Sequence, residues 1–418
     1  MSETGRRRSL THVGGAVTLA GAKPEAEALG HALDVRGAPE PKRHGAASDK
    51  ATEDDPDRAH VHGFHAYPAR MHPDTASRLV AVVSRERETV LDPFCGSGTV
   101  LVSAMIAARD AIGTDLNPLA VLLASRKVSP RDERQLERML ASARGAAELA
   151  DTRRKAKTGA SRRYPREDAQ AFDPHVLLEL DSLRTAIERE KDSGIRDDLW
   201  LVLSAILVKV SRRKADTSEH AMFKRIAAGY PSRLFVRKAE ELARRASELA
   251  RLLPSPRPRA RVRVDDARAL RTVKDGEARG VVTSPPYVGT YDYLEHHAMR
   301  LRWLGLDARQ LERGEMGSRR RFGSRHEQGV SGGWERELGA ALAAMRRTLA
   351  RSGRVALLIA DSEAGGRAVR ADEVLGALAP SAGLRFVARA SQPRPHFHGP
   401  RAFAGRDRFE HAILLERV

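Results

Sequence analysis

Two strand–turn–helix units follow one another directly along the chain, and no other feature of the sequence restricts the fold as strongly. The first unit spans residues 89–108 and carries a Gly-x-Gly turn between an apolar strand and a helix. The second spans residues 111–125, where a strand ends in an acidic residue before another helix. Consecutive units of this kind build an open, mainly parallel α/β sheet. We therefore predict a Rossmann-type sheet.

The turn and the two strand ends have the residues that a nucleoside site needs. Gly96 and Gly98 let the backbone approach a ligand closely, and Thr99 is the expected N-cap of the following helix. Asp92 ends the first strand, where its charge suits an ammonium or hydroxyl group. Asp115 follows the glycines by about 20 residues, the spacing at which an acid binds ribose hydroxyls. Together these positions predict a bound nucleoside.

A third strand, beginning near Val281, stops at Ser284-Pro285-Pro286-Tyr287. Proline cannot continue a sheet ladder, so the strand end presents a hydroxyl, two rigid peptide units and an aromatic ring. The carboxyl ends of strands bind ligands in open α/β sheets. The Ser284 hydroxyl and the adjacent carbonyls can accept the N–H groups of an amine, and Tyr287 can stack on a ring. We predict a site for a flat, amine-bearing substrate; the alternative is a Pro-Pro turn without function.

The charge balance indicates a polyanionic partner. The 418 residues include 73 Lys and Arg against 55 Asp and Glu, a formal net charge of +18. This excess favours nucleic acid, although Arg richness can also follow from genome base composition. Cys95 is the only cysteine, which excludes a disulfide framework and favours a reducing cytoplasm. The sequence has no membrane-length apolar run and no signal-peptide pattern, so we expect no membrane association.

Composition and periodicity divide the chain into regions. Residues 1–57 are rich in Gly, Ala, Pro and charge without a sustained apolar period, which predicts a disordered basic tail. Residues 58–129 and 255–418 carry the strand signals of the predicted sheet. Residues 130–254 show apolar residues at helical spacing, which predicts an inserted helical module. The expected fold class is therefore α/β with a helical insertion.

Two basic segments are candidate nucleic-acid contacts. One links two predicted helices of the insertion, and the other lies in a Gly/Arg-rich loop downstream of the Pro-Pro segment, where each can reach phosphates. A solvated charged loop is an equally good interpretation of both. The histidines within residues 60–72 lack carboxylate or cysteine partners at ligand spacing, so we expect no metal site. The candidate nucleic-acid-binding residues are Arg212, Arg213, Lys214, Arg319, Arg320 and Arg321.

The glycine turn and the Ser-Pro-Pro-Tyr segment together resemble the motifs of the amino-methylating DNA methyltransferases. The matching runs are Asp92-Pro93-Phe94-Cys95-Gly96-Ser97-Gly98-Thr99 and Thr283-Ser284-Pro285-Pro286-Tyr287. The resemblance implies a Rossmann-like class I methyltransferase sheet that binds S-adenosylmethionine. It also implies that Ser284, Pro285, Pro286 and Tyr287 are catalytic. The implied cofactor-binding residues are Phe64, Tyr67, Asp92, Phe94, Gly96, Gly98, Thr99, Asp115 and Asp266.

The resemblance further implies a substrate and a partner. Ser in the first motif position with Tyr in the last is commoner among family members that methylate cytosine N4, so we expect cytosine N4 in DNA, with the base flipped out of the duplex. The motif order makes residues 130–254 the expected target-recognition module, and a restriction–modification setting is expected. The alternatives are adenine N6, guanine N2 in RNA, and a nucleic-acid-binding relative without catalysis. The sequence indicates neither the recognition site nor the oligomeric state.

Overall fold

The computed structural model of the protein describes residues 15–35, 58–212, 225–318, 330–394 and 400–418. Its strands within these ranges are β1 (Thr18–Gly21), β2 (Thr89–Asp92), β3 (Asp110–Asp115), β4 (Ala260–Val264), β5 (Ala278–Thr283), β6 (Leu349–Ala360), β7 (Ser362–Ala364), β8 (Arg367–Val369), β9 (Leu384–Arg394) and β10 (Arg408–Arg417). Its helices are α1 (Lys23–Leu33), α2 (Pro73–Val83), α3 (Thr99–Ile106), α4 (Pro118–Val128), α5 (Glu133–Lys155), α6 (Arg166–Ala171), α7 (Pro174–Arg189), α8 (Ser193–Val210), α9 (Tyr230–Leu252), α10 (Tyr293–Leu304), α11 (Arg309–Gly314), α12 (Val330–Thr348) and α13 (Ala371–Ser381). Across the described ranges, every helix is too short or too polar to cross a membrane.

Eight of the described strands form one sheet in the order β1-β9-β10-β6-β5-β2-β3-β4. The strands from β6 to β4 are parallel, whereas β10 is antiparallel to both of its neighbours and β1 is antiparallel to β9. Counted along the chain from β2, the parallel strands read 3-2-1-4-5 across the sheet, the order of the doubly wound Rossmann fold. The predicted fold class, an α/β Rossmann-like sheet with an inserted helical module, is confirmed.

Helices cover both faces of the sheet, and the alternation of side chains along β6 shows why. Ala356 and Leu358 point into a core shared with α1, α2 and α3, whereas Val355, Leu357 and Ile359 point into a core shared with α12 and α13. All five side chains are buried. A strand that is apolar on both faces needs cover on both sides, so its continuous apolar sequence encodes a central position.

The helices α5 to α9 fall between β3 and β4 and form the inserted module. They enclose a separate hydrophobic core in which Phe172 and Phe235 are fully buried. A buried ion cluster joins the module to α4. Asp198 of α8 accepts hydrogen bonds from Arg126 at 2.8 and 3.0 Å and is also paired with Arg131. The insertion is therefore joined by buried ion pairs to α4, the helix that follows β3.

The N-terminal region departs from the sequence prediction. A disordered tail over residues 1–57 is wrong for residues 15–35, where β1 pairs with β9 and α1 packs on α2 and β9. Ala26, Leu29 and Leu33 of α1 are buried at helical spacing. This short apolar period is hard to recognise between Gly- and Ala-rich stretches. It stabilises a helix here because α1 can bury these side chains against β9. The other residues of the expected tail lie outside the described ranges.

Candidate active site

The carboxyl ends of four parallel strands meet at one edge of the sheet and bring the sequence motifs together. Asp92 ends β2, Asp115 ends β3, Ser284 follows β5 and Asp266 follows β4. The switch point of the sheet lies between β2 and β5, which is where ligands bind in this architecture. The predicted site residues that line the resulting cleft and its continuation beside the glycine turn are Tyr67, Asp92, Phe94, Gly96, Thr99, Asp115, Asp266, Ser284 and Pro286.

The glycine turn requires its glycines for two different reasons. Gly98 has φ +83°, and a Cβ there would lie 3.0 Å from the Ala124 Cβ. Gly96 has φ +50°, and a Cβ there would lie 3.3 Å from the ring of Tyr67, at the cleft wall. The prediction that Thr99 caps α3 is wrong: Gly98 is the N-cap and Thr99 is the first helical residue. The left-handed backbone of the turn explains the shift, because only glycine adopts it without strain.

Asp115 fixes the turn from the neighbouring strand. Its carboxylate accepts hydrogen bonds from the backbone N–H of Gly96 at 2.9 Å and of Asn117 at 2.8 Å. Burial raises the pKa of Asp115 to about 6, and the backbone hydrogen bonds oppose that rise. The carboxylate also lines the cleft, so its position is compatible with the predicted contact to ribose hydroxyls.

A hydrogen bond connects the glycine-turn strand to the Ser-Pro-Pro-Tyr strand. The Thr283 hydroxyl donates to Asp92 at 2.6 Å, and the Phe94 N–H donates to the same carboxylate oxygen at 3.1 Å. Burial raises the pKa of Asp92 to about 7, against the effect of these two donors. Thr283 directly precedes Ser284, so this bond sets the position of the Ser-Pro-Pro-Tyr segment relative to the glycine turn.

The Ser-Pro-Pro-Tyr segment is held in place by its own side chains and by α12. The Ser284 and Tyr287 hydroxyl oxygens lie 3.3 Å apart, and burial raises the pKa of Tyr287, which keeps its hydroxyl protonated. Trp334 of α12 donates its indole N–H to the Pro286 carbonyl at 3.0 Å. Sequence reasoning missed both Thr283 and Trp334 as site residues. The position of Thr283 directly before the Ser-Pro-Pro-Tyr motif could have identified it as a site residue. Trp334 is 48 residues from Pro286 along the chain, and no sequence pattern connects the two.

Aromatic rings form the wall opposite the sheet. Tyr67 stacks against His297, with ring centroids 5.0 Å apart, and lies 6.2 Å from the ring of Tyr293. The Asn117 side-chain amide donates to the Tyr67 hydroxyl at 3.3 Å. His297 is fully buried, and neither of its ring nitrogens has a hydrogen-bond partner in the described ranges. Burial, together with the nearby charges of His296 and Arg300, lowers its pKa, so it is a neutral part of this wall.

The end of the cleft near Asp266 is closed by an ion pair and a close backbone approach. Arg268 is paired with Asp266 at 2.6 Å and with Glu337 at 2.7 Å. A Cβ at Gly314 would lie 2.9 Å from both Arg268 and Leu116. The free volume of the cleft is about 80 Å³, below the roughly 300–1,000 Å³ of small-molecule sites. A nucleoside ligand therefore requires these walls to separate.

Some predicted residues lie elsewhere. Phe64 is buried in the core of the helical module, with the Lys238 ammonium 5.2 Å from its ring centre. Arg212 is exposed and paired with Asp173 at 2.6 Å. Gly98, Pro285 and Tyr287 are not among the described residues that line the cleft or its continuation. The candidate nucleic-acid residues Arg213, Lys214, Arg319, Arg320 and Arg321 lie outside the described ranges.

The residues of the cleft fit the donor groups of S-adenosylmethionine. The Ser97 hydroxyl in the glycine turn is buried and has no hydrogen-bond partner in the described part of the chain. It is a polar group that a bound methionine end would satisfy. The side of Gly96 facing Tyr67 would be filled by a Cβ, and the Asp115 carboxylate lies next to it. A hydroxyl, a carboxylate and an open glycine backbone are thus presented together.

Solved structures share the general arrangement at low similarity. TrmN from Thermus thermophilus is 13% identical, with a TM-score of 0.31, over 83% of this chain and 49% of that chain. The rRNA methyltransferase aviRa from Streptomyces viridochromogenes is 14% identical, with a TM-score of 0.33, over 90% of this chain and 95% of that chain. Because both TM-scores are below 0.5, the assignment of the fold depends on the strand order described above.

The sequence comparisons fall on the glycine-turn region. Residues 39–126 match the model of a family described as DNA methylase, the N6/N4 methyltransferases. The Type II methyltransferase M.MvaI of Kocuria varians is 35% identical over 83 residues, 19% of this chain and 18% of that protein. M.MjaII of Methanocaldococcus jannaschii is 33% identical over 81 residues, 19% of this chain and 15% of that protein. The aligned segment thus covers less than one fifth of either relative. Through this segment, the chain is similar to the N6/N4 DNA methylase family.

Proposed function

We propose that the protein transfers the methyl group of S-adenosylmethionine to an exocyclic amine of a DNA base, and that this amine is cytosine N4. The observation that supports the proposal best is the common cleft: Ser284 and Pro286 line the same cavity as Gly96 and Asp115. The Thr283–Asp92 hydrogen bond holds the two motifs in one arrangement. A methyl donor at the glycine turn would therefore face a base at the Ser-Pro-Pro-Tyr segment.

The chain's own groups account for the activation of the amine. A base amine is a weak nucleophile because its lone pair is delocalised into the ring. Hydrogen bonds from its two N–H groups to the Ser284 hydroxyl and the Pro285 carbonyl would localise and orient that lone pair. Trp334 already engages the Pro286 carbonyl, which favours Pro285 as the acceptor. Bound S-adenosylmethionine supplies an electrophilic methyl group, and correct placement of the amine can contribute several kcal/mol, up to roughly 10.

The base must leave the duplex stack to enter this cleft. Tyr287 is the ring on which we expect it to stack, because its hydroxyl is held near Ser284. The preference for cytosine over adenine follows from the Ser-Pro-Pro-Tyr form of the motif. The insertion of residues 130–254 is the proposed target-recognition module, and the Type II relatives suggest a restriction–modification setting. The basic residues 212–214 and 319–321 are proposed contacts to the nucleic acid.

A methyl-transfer assay followed by nucleoside mass spectrometry tests the proposal. The protein is incubated with labelled S-adenosylmethionine and either duplex DNA or RNA, and the nucleosides are separated. We expect 4-methylcytosine in DNA. The appearance of 6-methyladenine would correct the base, and methylated guanine in RNA would correct the nucleic acid. Cofactor binding without transfer to any nucleic acid would contradict the proposed activity.

Variants of the catalytic segment separate transfer from cofactor binding. We expect Tyr287→Ala to abolish transfer while the cofactor affinity measured by calorimetry changes little. Tyr287→Phe, which keeps the ring and loses the hydroxyl near Ser284, is the matched control and should retain partial activity. Asp115→Ala should weaken cofactor binding first. Full activity of Tyr287→Ala on duplex DNA would show that the base binds elsewhere.

A further inference from the structure

A second, larger cavity lies on the other side of the segment that carries Tyr67. This groove has a volume of about 1,150 Å³ and runs between residues 58–70 and helix α9. Among the described residues, its lining includes seven Arg and Lys side chains but only two carboxylates, Glu241 and Glu248. Glu241 is shared between Lys238 and Arg245, and Glu248 is paired with Arg244. The groove therefore has an excess of positive charge that its own acids do not balance.

Beside the groove, three buried nitrogen atoms have no hydrogen-bond partner in the described part of the chain. They are the Lys127 ammonium and the Nδ1 atoms of His60 and His62. The side chains of Lys127 and His62 are almost entirely buried, at 3% and 2% exposed, and the two imidazole centres are 4.6 Å apart. Buried polar groups without partners are rare in native proteins. Lys127 is close enough to both histidines to affect their pKa values, and acceptor oxygens are the partners that such donors bind.

The surrounding charges favour an anion over a metal ion at this position. Burial and then the charge of Lys127 lower the pKa of His62, while burial and then the charge of Arg70 lower that of Lys127. Burial is the larger cause for both groups and the neighbouring cations add to it, and a bound anion would oppose the contribution of the cations. A metal ion would instead add to the repulsion. Among the described residues, the one cluster with metal-ligand geometry lies elsewhere, at Asp361, Asp372 and His411.

The groove is also connected to the active-site cleft. Arg70 lines both the groove and the cavity beside the glycine turn. Ala66 lines the groove, and its neighbour Tyr67 lines the cleft. A polymer lying in the groove would therefore be close to the proposed base-binding site. The volume and charge of the groove suit a run of phosphates rather than a single ion.

We propose that this groove, formed by residues 58–70 and α9, binds the phosphate backbone of a nucleic acid, with one phosphate at His60, His62 and Lys127. The inference extends the proposed function, since it takes a nucleic acid as the partner. Residues at the rim, including Lys209 and Arg251, are exposed and would contact flanking phosphates. The buried cluster would fix the register of the strand, because phosphate contacts set position rather than sequence.

Duplex binding measured by fluorescence anisotropy over a range of salt concentrations tests the proposal. The rim variant is Lys209→Glu with Arg251→Glu. The control, Lys23→Glu with Arg351→Glu, makes the same change in net charge at exposed positions on α1 and at the amino end of β6. We expect the rim variant to bind roughly tenfold more weakly and the slope of log affinity against log salt to become shallower by about 2. Equal behaviour of the two variants would overturn the proposal.

The buried cluster is tested with Lys127→Met, which keeps the apolar stem and removes the amine. We expect weaker duplex binding at a melting temperature that does not fall, because Lys127→Met removes a buried amine without a partner. Calorimetry with inorganic phosphate should show binding to the unsubstituted protein that Lys127→Met removes. If inorganic phosphate binds there while both sets of variants bind DNA normally, the ligand is a free phosphate and the proposal is overturned. Duplex binding through the groove without methyl transfer would leave this inference standing and contradict the proposed enzymatic function instead.

Discussion

At the scale of single residues, the cleft depends on carboxyl groups that the fold removes from water. Asp92 and Asp115 are both at strand ends, and burial raises the pKa of each. Their hydrogen bonds come from backbone N–H groups and from Thr283. These bonds compensate part of the cost of burial and also fix the glycine turn. The same residues therefore serve the stability of the sheet edge and the geometry of the site.

Thr283→Val tests the connection between the two motifs. Valine has nearly the same shape but removes the hydroxyl that donates to Asp92 at 2.6 Å. Loss of a donor to a buried group costs about 1–3 kcal/mol. We therefore expect the free energy of unfolding in urea to fall by about that amount and methyl transfer to fall as well. Thr283→Ser keeps the hydroxyl and should restore most of both. Unchanged stability in Thr283→Val would show that the bond contributes nothing.

The raised pKa values predict a pH dependence of stability. The pKa is about 7 for Asp92 and about 6 for Asp115 in the fold, against about 3.9 in an unfolded chain. The folded state therefore keeps these protons to higher pH than the unfolded state. The stability they contribute is present at low pH and is lost as the pH rises from about 4 to about 7.

Urea unfolding between pH 4 and pH 8 measures this effect through the difference between the unsubstituted protein and Asp92→Asn. We expect the advantage of the unsubstituted protein over the variant to shrink with rising pH, by on the order of 2–4 kcal/mol. The asparagine keeps an oxygen that can accept from Thr283, so the bond at that position is retained. Parallel stability curves would contradict the raised pKa of Asp92.

At the scale of elements, the N-terminal strand and helix complete one edge of the sheet. β1 extends the sheet beyond β9, and α1 covers the apolar face of β9 and packs on α2. An uncovered edge strand tends to pair with other chains. The pair of elements therefore protects a strand that would otherwise be exposed, although neither element contributes a residue to the cleft.

Leu29→Ala measures what this packing contributes. Leu29 is fully buried in the core between α1, α2 and the sheet. Truncation of a buried leucine to alanine costs about 2–5 kcal/mol, and we expect the free energy of unfolding to fall within that range. Leu19→Ala on β1 is the matched control because Leu19 is 48% exposed, and it should cost much less. Equal effects would show that α1 is only loosely packed.

At the scale of the whole molecule, the helical insertion and the sheet share one buried charge cluster. Asp198 of α8 receives hydrogen bonds from Arg126 of α4 and from Arg131, which precedes α5. The opposite charges hold the pKa of Asp198 below its usual range despite its burial. The proposed recognition module is thereby fixed in orientation relative to α4 and the strand β3 that precedes it.

Asp198→Ala should separate the two parts. It leaves two buried guanidinium groups without their partner, which typically costs about 3–5 kcal/mol. We expect a lower free energy of unfolding, with the helical signal lost before the sheet unfolds. Asp151→Ala, which removes a carboxylate paired with Arg154 and Lys155 on the surface of α5, is the control and should cost at most about 1 kcal/mol. A single unshifted transition in Asp198→Ala would show that the cluster does not join the module to the sheet.

Local sequence patterns by themselves determined the sheet, the glycine turn, the acidic strand ends and the Ser-Pro-Pro-Tyr strand end. Each of these is encoded within a few consecutive residues, because strand periodicity, glycine conformation and the rigidity of proline act locally. Residues 15–35 were misjudged for a related reason. Their apolar period is short, and their structure depends on pairing with a distant strand. Thr18 of β1 pairs with Ser391 of β9, which is 373 residues away along the chain.

Only the tertiary structure decided how these parts meet. It joined Asp92 to Thr283, placed Trp334 on the Pro286 carbonyl, and directed Phe64 into the helical core rather than the cleft. It also brought Lys127 next to the histidines of residues 58–70. These contacts link residues that are distant along the chain, and each depends on the packing of whole elements. Local propensity contains no information about such packing, which is why the sequence alone identified the motifs but not the contacts that position them.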